Sequence, residues 1–274
     1  MPGIRFKSAV LGLALALSLG AGPALAAKCG SSAAGFPGWL AAFKKEAAAG
    51  GISAGTINSA LNGVAYNPGV IALDRKQGHF KKSFAQFSAS RITPGAVARG
   101  RSLLQQHASL LAKIEKRFGV QPPVIVAIWG LETGYGAGMG NTPSIRSLAS
   151  LAYDCRRTAF FTEQLTDALK VIERGDISAA EMRGAWAGEV GQTQFMASSY
   201  YKFAVDFDGN GRRDLIRSVP DALASTANYL KSYGWTAGQP WTEGSANFAV
   251  FAEWNKAAVY QKTIAAFATK LAGG

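Results

Sequence analysis

The chain has 274 residues, of which 48% are hydrophobic and 17% charged, and a formal net charge of +12. This length supports a sizeable core in one large domain or two small ones, and the composition excludes an intrinsically disordered chain. The positive charge predicts an anionic partner. The basic residues are scattered and form no arginine-rich arm or nucleic-acid-binding motif, so we do not expect nucleic acid to be that partner. An anionic cell-wall polymer fits better.

The first 26 residues have the features of a cleaved secretory signal peptide. Arg5 and Lys7 supply the positive start, residues 9–22 are mostly apolar, and residues 24–26 form a small-residue cleavage site. The apolar run is too short to span a bilayer, so we expect no stable membrane anchor. Cleavage would remove two positive and no negative charges, so the mature chain, residues 27–274, would carry a net charge of +10.

Cys29 and Cys155 are the two cysteines of the sequence. Lys28 directly before Cys29 does not fit a lipoprotein signal, which needs small residues there, so lipid anchoring is not expected. Export leads to an oxidising compartment, where two cysteines favour one disulfide, with two free thiols as the alternative. Closing so long a loop would stabilise the fold by roughly 5 kcal/mol in the chain-entropy model.

Apolar residues recur at helical spacing along most of the mature chain. The pattern from residue 36 to residue 121 is helical, and residues 96–118 form one long amphipathic helix in this prediction. The core face of that helix carries Leu103, Leu104, Leu110, Leu111 and Ile114. Further helices are predicted at residues 147–153, 160–174 and 220–233, and a mainly helical segment at residues 248–271.

The segment around Glu132 is the most informative of the chain. Two prolines precede an uncharged apolar run at residues 124–131, and this run ends at Glu132. Periodicity allows a buried strand or a buried helix, and we favour a helix that Gly134 terminates. Glu132 would then lie at the edge of the core, where desolvation raises the pKa of a carboxyl group and keeps it protonated as a general acid. A surface glutamate at a helix end is the alternative.

Two glycine-rich segments bear on ligand binding. The glycines after Glu132 do not fit a dinucleotide-binding fingerprint, because Met139 stands at a glycine position and no strand-helix-strand pattern surrounds them. Residues 184–201 combine aromatic and neutral hydrogen-bonding side chains with the single charge of Glu189. A sugar-binding wall needs such a mixture, and a buried polar turn is the alternative.

A candidate calcium loop occupies residues 206–217. Oxygen-bearing side chains at its first, third, fifth and ninth positions, with glycine at the sixth, match an EF-hand-like loop. Arg217 stands at the twelfth position, where a bidentate glutamate belongs, and Asp221 would replace that ligand in a longer loop. The pattern predicts one structural Ca²⁺, with an aspartate-rich turn that binds no metal as the alternative. The other ligands would be Asp206, Asp208, Asn210 and Asp214.

Four motifs follow one another in a specific order over nearly all of the mature chain. They are Glu132-Thr-Gly-Tyr-Gly, Trp186-Ala-Gly-x-x-Gly-Gln-Thr-Gln194-Phe-Met, Ala204-Val-Asp206-Phe-Asp-Gly-Asn-Gly and Ala227-Asn-Tyr229-Leu-x-x-x-Gly-Trp235. This set resembles the MltB-type lytic murein transglycosylases. The resemblance implies a mainly α fold, with a lysozyme-like transglycosylase core, flanking helices and the EF-hand-like loop. It also implies a deep glycan cleft and a periplasmic location.

The resemblance assigns roles to single residues. Glu132 would be the catalytic acid and base of a peptidoglycan lytic transglycosylase, a glycosidic-bond lyase. It would cleave the MurNAc-β-1,4-GlcNAc bond without water and leave 1,6-anhydroMurNAc ends. Gln194 would face Glu132 across the cleft. No cofactor is implied for catalysis. Further substrate contacts would come from Tyr229, Asn255, Tyr260, Arg156 and Arg157.

The resemblance also suggests how the single domain at residues 27–274 is divided. An N-terminal helical part would span residues 36–121, a lysozyme-like catalytic core residues 122–235, and a C-terminal part that closes the cleft residues 236–274. The expected partners are peptidoglycan glycan strands, and assembly proteins of the cell envelope are further candidates.

Three positions depart from the pattern of these relatives. Ala185 stands where many have serine, Glu189 adds a second carboxylate where a neutral residue is frequent, and Trp254 replaces a common tyrosine. A hydrolytic muramidase and a catalytically inactive wall-binding scaffold are the alternative functions. The presence of both Glu132 and Gln194 argues against the inactive scaffold.

Overall fold

A computed structural model of the protein describes residues 28–76 and 83–274, so the predicted signal peptide lies outside the described residues. These ranges are mainly helical, as the sequence predicts, with one short antiparallel pair, β1 (Thr142–Pro143) and β2 (Arg183–Gly184). Within them, no helix combines the length and the apolar character needed to cross a membrane. The helices are α1 (Phe36–Ala49), α2 (Ala54–Leu61), α3 (Pro68–Lys76), α4 (Phe84–Arg91), α5 (Pro94–Gln106), α6 (Ala108–Phe118), α7 (Pro122–Thr133), α8 (Ser144–Tyr153), α9 (Thr158–Glu173), α10 (Ala197–Phe203), α11 (Val219–Ser232), α12 (Ala246–Trp254) and α13 (Ala258–Leu271).

Helix α7 lies at the centre of the core. Its residues 124–129 are almost inaccessible to solvent, because α5, α6, α11 and α13 pack around it. A helix surrounded in this way is apolar on every side, which explains why its sequence shows no amphipathic period. Gly134 follows in the left-handed conformation, and its N–H binds the carbonyl of Gly130 at 3.0 Å. The predicted helix with Glu132 in its last turn is therefore confirmed.

The single long helix predicted for residues 96–118 is wrong. The chain bends at His107, whose φ of −103° and ψ of 18° end α5 and start α6. Helix α5 packs on α7 and α13, whereas α6 packs on α11 and α7. One straight helix could not pack against both sets of partners. The apolar spacing continues across residue 107, so the sequence pattern does not reveal the bend.

The N-terminal segment is tied to the loop between α8 and α9. The predicted disulfide joins Cys29 to Cys155, with 5.0 Å between their Cα atoms. The N–H of Gly30 also donates to the carbonyl of Tyr153 at 2.9 Å, and Gly30 pairs with Asp154 in a parallel bridge. The segment before α1 is therefore fixed on the loop that carries the two predicted substrate-binding arginines, Arg156 and Arg157.

The last two helices complete the surroundings of Glu132. Ser245 caps α12 by accepting a hydrogen bond from the N–H of Phe248 at 3.2 Å. Helix α13 packs closely on α7, because Gly130 has no side chain where a Cβ would lie 2.9 Å from the ring of Phe267. The turn from α12 into α13 is thereby held against the end of α7.

Candidate active site

A cavity of about 400 Å³ opens beside Glu132. The end of α7 supplies this acid, the segment before α10 supplies one wall, and α11 with the end of α12 supplies the other. The lining mixes aromatic rings with hydrogen-bonding groups and two further carboxylates, as sugar binding requires. Its residues are Glu132, Ala185, Glu189, Gln194, Phe195, Met196, Ser199, Tyr229, Glu253, Trp254 and Asn255.

Burial raises the pKa of the Glu132 carboxyl group to about 7. Desolvation is the largest cause, and the nearby charge of Glu189 acts in the same direction. Hydrogen bonds from Trp254 and Tyr260, and the charge of Arg91, oppose it. A carboxyl group with this pKa is partly protonated near neutral pH, so it can deliver a proton and accept one back.

Both hydrogen bonds to Glu132 end on the same oxygen. Trp254 Nε1 donates to Oε1 at 2.8 Å, and the hydroxyl of Tyr260 donates to the same atom at 2.7 Å. Tyr260 was predicted as a sugar-binding residue, but its hydroxyl contacts the acid, and burial beside Glu132 raises its pKa well above the usual value. The sequence does not predict the contact from Trp254, which the resemblance identifies only as a departure from the tyrosine common in the family.

Gln194 lies in the cavity wall, in the left-handed backbone conformation with a φ of 52°. Its Nε2 donates to the carbonyls of Gly191 at 2.8 Å and Met139 at 3.2 Å. Among the described residues no hydrogen bond joins it to Glu132. The amide donors are thus used to hold the wall, and the amide oxygen is the group that Gln194 can offer to a ligand.

Tyr229 and Asn255, the next two predicted sugar-binding residues, also line the cavity. The hydroxyl of Tyr229 donates to the carbonyl of Glu253 at 2.6 Å, and its ring lies 5.1 Å from the ring of Trp254, edge to face. Oδ1 of Asn255 accepts from the N–H of Ala257 at 2.9 Å, which leaves its Nδ2 donors for the cleft. Tyr229 therefore offers a ligand mainly its ring, and Asn255 an amide.

The structure places Arg156 and Arg157 on a buried acid rather than in the lining of the cavity. Both form ion pairs with Asp74 of α3, and Arg156 also donates from Nη2 to the Asp74 carbonyl at 2.8 Å. The guanidinium of Arg157 lies 4.7 Å from the ring centroid of Phe161. Its charge still reaches the cleft, because it lowers the pKa of Glu189.

The predicted calcium ligands divide into two groups. Carboxylate oxygens of Asp206, Asp208 and Asp221 lie within 4.8 Å of one another. The carboxylate of Asp214 instead forms an ion pair with Arg217, whose Nε lies 2.6 Å from its Oδ2. Oδ1 of Asn210 accepts from a backbone N–H two residues further on, at 2.9 Å. Among residues 28–76 and 83–274, no lysine or arginine forms an ion pair with Asp206, Asp208 or Asp221. Three carboxylates grouped in this way are a donor set that suits Ca²⁺.

A second polar cavity, of about 640 Å³, lies between α2 and the end of α9. Its acids, Glu173 and Glu181, are exposed, and hydrogen bonds lower the pKa of both. Each is therefore ionised at neutral pH and cannot hold a proton for acid catalysis. Glu132, whose pKa is raised, therefore fits the role of the acid better than either glutamate of this second cavity.

The chain is similar to known proteins in both sequence and structure. Residues 35–246 match the profile of the family described as Transglycosylase SLT domain. The membrane-bound lytic murein transglycosylase B of Escherichia coli (strain K12) is 38% identical over 148 residues, which are 54% of this chain and 41% of that protein. The match thus spans less than half the length of this relative.

Solved structures cover more of the chain. SltB3 from Pseudomonas aeruginosa, in complex with NAG-anhNAM-pentapeptide, is 35% identical with a TM-score of 0.82, over 87% of this chain and 80% of that one. Escherichia coli Slt35 in complex with calcium has a TM-score of 0.78 over 90% of this chain and 96% of that one, but at 24% identity it shows the fold alone. The predicted lysozyme-like transglycosylase fold is confirmed, and the chain belongs to the transglycosylase SLT domain family.

Proposed function

We propose that this protein is a lytic transglycosylase that cleaves the MurNAc-β-1,4-GlcNAc bond of peptidoglycan and leaves 1,6-anhydroMurNAc ends. The observation that carries the proposal is Glu132, a carboxyl group with a pKa raised to about 7 at the edge of a cavity lined for sugar binding. SltB3, a structural relative, binds a fragment that contains such an anhydro sugar. The catalytic role of Glu132 rests on this agreement of geometry and family.

The hydrogen bonds to Glu132 favour a proton on its second oxygen. Oε1 accepts from both Trp254 and Tyr260, so a proton on that atom would displace one of these donors. The proton therefore resides on Oε2. In the first step Oε2 protonates the glycosidic oxygen, and the bond from that oxygen to C1 of MurNAc breaks with the electron pair on the leaving GlcNAc.

The same carboxylate completes the reaction. It accepts the proton of the C6 hydroxyl of the same MurNAc, and O6 forms a bond to C1, so no water is consumed. A glycoside hydrolase, whether it inverts or retains the anomeric configuration, normally needs a second carboxylate to activate water or attack the sugar. The route proposed here needs one acid. An intramolecular nucleophile also gains from proximity, by up to about 7–11 kcal/mol in ideal geometry.

The products of Glu132→Gln test this mechanism. Glutamine keeps an acceptor for Trp254 and Tyr260 but cannot deliver the proton, so we expect turnover to fall by at least about 10²-fold. The measurement is mass spectrometry of digested sacculi, where the wild type should yield anhydroMurNAc ends. Reducing-end MurNAc as the main product would favour the hydrolytic muramidase. A wild type that binds sacculi without cleaving them would favour the inactive scaffold.

We propose further that one structural Ca²⁺ binds at Asp206, Asp208 and Asp221. Their oxygens lie within 4.8 Å of one another, and Asn210 belongs to the same loop. Slt35, which shares the fold, was solved with calcium. Asp214, the remaining predicted ligand, would have to release Arg217 to join the site. Bound calcium would neutralise the carboxylates and take no part in the reaction.

Thermal unfolding tests the calcium site. A ligand that binds only the folded state stabilises it by about 2.7 kcal/mol at 100 times its Kd, so millimolar CaCl₂ should raise the melting temperature above that in chelator. Asp208→Asn should abolish the increase, whereas Asp167→Asn, which removes an acid outside the loop, should retain it. Equal melting temperatures of the wild type in calcium, magnesium and chelator would contradict the proposal.

Two observations support a location outside the inner membrane. Peptidoglycan lies outside the inner membrane, and the first 26 residues have the features of a signal peptide. We propose that the mature enzyme acts in the periplasm on glycan strands. Assembly proteins of the cell envelope remain candidate partners, and co-purification from cross-linked envelopes tests them.

A further inference from the structure

Glu189 is a second carboxylate in the wall of the same cavity as Glu132. The reaction proposed above gives it no task. Glu189 is half-buried, and removing a charge from water is unfavourable unless a partner compensates for it. Within the described residues no lysine or arginine forms an ion pair with it.

The backbone that carries Glu189 is held on both sides. Its carbonyl accepts from the N–H of Ala185 at 2.9 Å, and the next residue, Val190, pairs with Gly184 and Phe195 in antiparallel bridges. Gly188, with a φ of 95°, lies so close to α8 that a Cβ there would be 2.5 Å from the side chain of Leu148. The side chain of Glu189 therefore starts from a fixed position, which favours a binding role over a flexible surface role.

The carboxylate has unused hydrogen-bonding capacity. Two oxygens can accept about four hydrogen bonds. The described part of the chain supplies interactions from two backbone N–H groups, those of Ala187, at 3.2 Å from Oε2, and of Glu189 itself. The remaining lone pairs belong to a side chain that lines the cavity, so they are available to a ligand there.

The backbone N–H groups and the charge near Glu189 act on the pKa of its carboxyl group in the direction opposite to burial. Burial raises its pKa, and the two backbone N–H groups and the more distant charge of Arg157 lower it. Glu189 in turn raises the pKa of Glu132, so the two acids are close enough to interact. Because both acids line the same cavity, a sugar bound at Glu132 can reach a hydrogen-bond acceptor on Glu189.

We propose that Glu189 is a substrate-recognition residue that accepts hydrogen bonds from N–H or O–H groups of the sugar next to the cleaved bond. The inference rests on the proposed function, since it takes the glycan strand as the ligand. It adds a specificity-determining carboxylate to the wall of the cavity that also holds Glu132. A charge-assisted hydrogen bond of this kind is about twice as strong as a neutral one.

The discriminating variant is Glu189→Gln. Its amide oxygen can take over the hydrogen bond from Ala187 and keep the turn, and its NH₂ group then faces the cavity. A donor replaces an acceptor in the cleft while the fold is preserved. Glu181→Gln is the matched control, because Glu181 also accepts from a backbone N–H in a turn, that of Ser178 at 3.1 Å, but lies outside this cavity.

Binding is measured by calorimetry in the Glu132→Gln background, with a GlcNAc-MurNAc tetrasaccharide as the probe. We expect Glu189→Gln to raise Kd about tenfold or more, and Glu181→Gln to leave it unchanged. Unchanged melting temperatures establish that each variant is folded. If Glu189→Gln unfolds, Glu189→Met, which preserves volume without accepting hydrogen bonds, replaces it.

Steady-state kinetics of Glu189→Gln with Glu132 intact distinguish a role of Glu189 in substrate binding from a role in the chemical step. Recognition predicts that Glu189→Gln raises KM for soluble glycan about tenfold while its anhydro products remain. An unchanged Kd would overturn the inference, as would a loss of kcat at constant Kd, which would place Glu189 in the chemistry. Failure of the proposed function is a distinct result, because the wild type would then give no anhydro ends.

Discussion

The proton of Glu132 depends on a balance between burial and two donors. Burial favours the neutral acid, whereas the hydrogen bonds from Trp254 and Tyr260 favour the carboxylate. The result is a pKa of about 7. Because the first step of the proposed reaction needs the protonated form, activity should be high at acidic pH and should decline as pH rises through about 7.

Removing one of the two hydrogen-bond donors to Glu132 should raise the pH at which activity declines. Trp254→Phe deletes the N–H that donates to Glu132 at 2.8 Å, so the carboxylate loses stabilisation and its pKa rises further. The alkaline limb of the kcat/KM profile should then move to higher pH, by up to about one unit. Trp241→Phe is the control, since it deletes an indole hydrogen bond to Thr269 of α13, and neither residue lines the cavity. A limb that moves to lower pH in Trp254→Phe would contradict this account.

The sequence predicts some properties of single residues and not others. The raised pKa of Glu132 follows from an apolar run that ends in one acid, and the structure shows the expected shift. The directions of polar side chains do not follow from spacing. The hydroxyls of Tyr229 and Tyr260 bind Glu253 and Glu132, and the predicted arginines bind Asp74. Their substrate-binding roles stay predictions.

Among the elements, the disulfide has the clearest energetic consequence. It joins residues separated by 126 positions and fixes the segment before α1 on the loop after α8. In the chain-entropy model, a cross-link of this span stabilises the fold by about 5 kcal/mol, because it restricts the unfolded chain. The double variant Cys29→Ser/Cys155→Ser should therefore unfold at clearly lower urea concentration than the oxidised wild type.

Reductant provides the matched control for that experiment. It should lower the urea midpoint of the wild type toward that of the double variant and leave the variant unchanged. Equal midpoints for oxidised wild type and double variant would show that the bond adds no net stability. The loop also carries Asp154, which forms an ion pair with Arg75, so part of the loss would reflect local loosening there.

The presence of a helix could be predicted where apolar residues recur strongly at helical spacing. The ends of a helix could not be predicted where packing against other helices determines them. The bend at His107 arises because α5 and α6 contact different helices. The EF-hand-like loop is a similar case, since its spacing matches the motif but Asp214 turns to Arg217. The calcium site and the division into three parts at residues 36–121, 122–235 and 236–274 stay predictions.

For the whole molecule, the surplus of positive charge is the property that bears most directly on the proposed substrate. The sequence has 29 lysine and arginine residues against 17 aspartate and glutamate residues. Long-range attraction concentrates a basic protein near an anionic polymer, and salt screens it because the Debye length falls from about 10 Å at 0.1 M to about 3 Å at 1 M. Binding of inactive Glu132→Gln to sacculi should therefore weaken as salt increases.

A charge-reversal variant separates this general attraction from recognition in the cleft. Lys45, Lys113 and Lys116 are exposed and lie outside the cavity, so changing all three to glutamate lowers the net charge by six. In the Glu132→Gln background, we expect this variant to bind sacculi about tenfold more weakly at low salt and equally at 1 M. With Glu132 intact, its kcat on a short soluble glycan should equal that of the wild type, because the cleft is unchanged. Equal binding to sacculi at low salt would show that the charge does not guide the enzyme, and that the cleft alone accounts for its affinity for the wall.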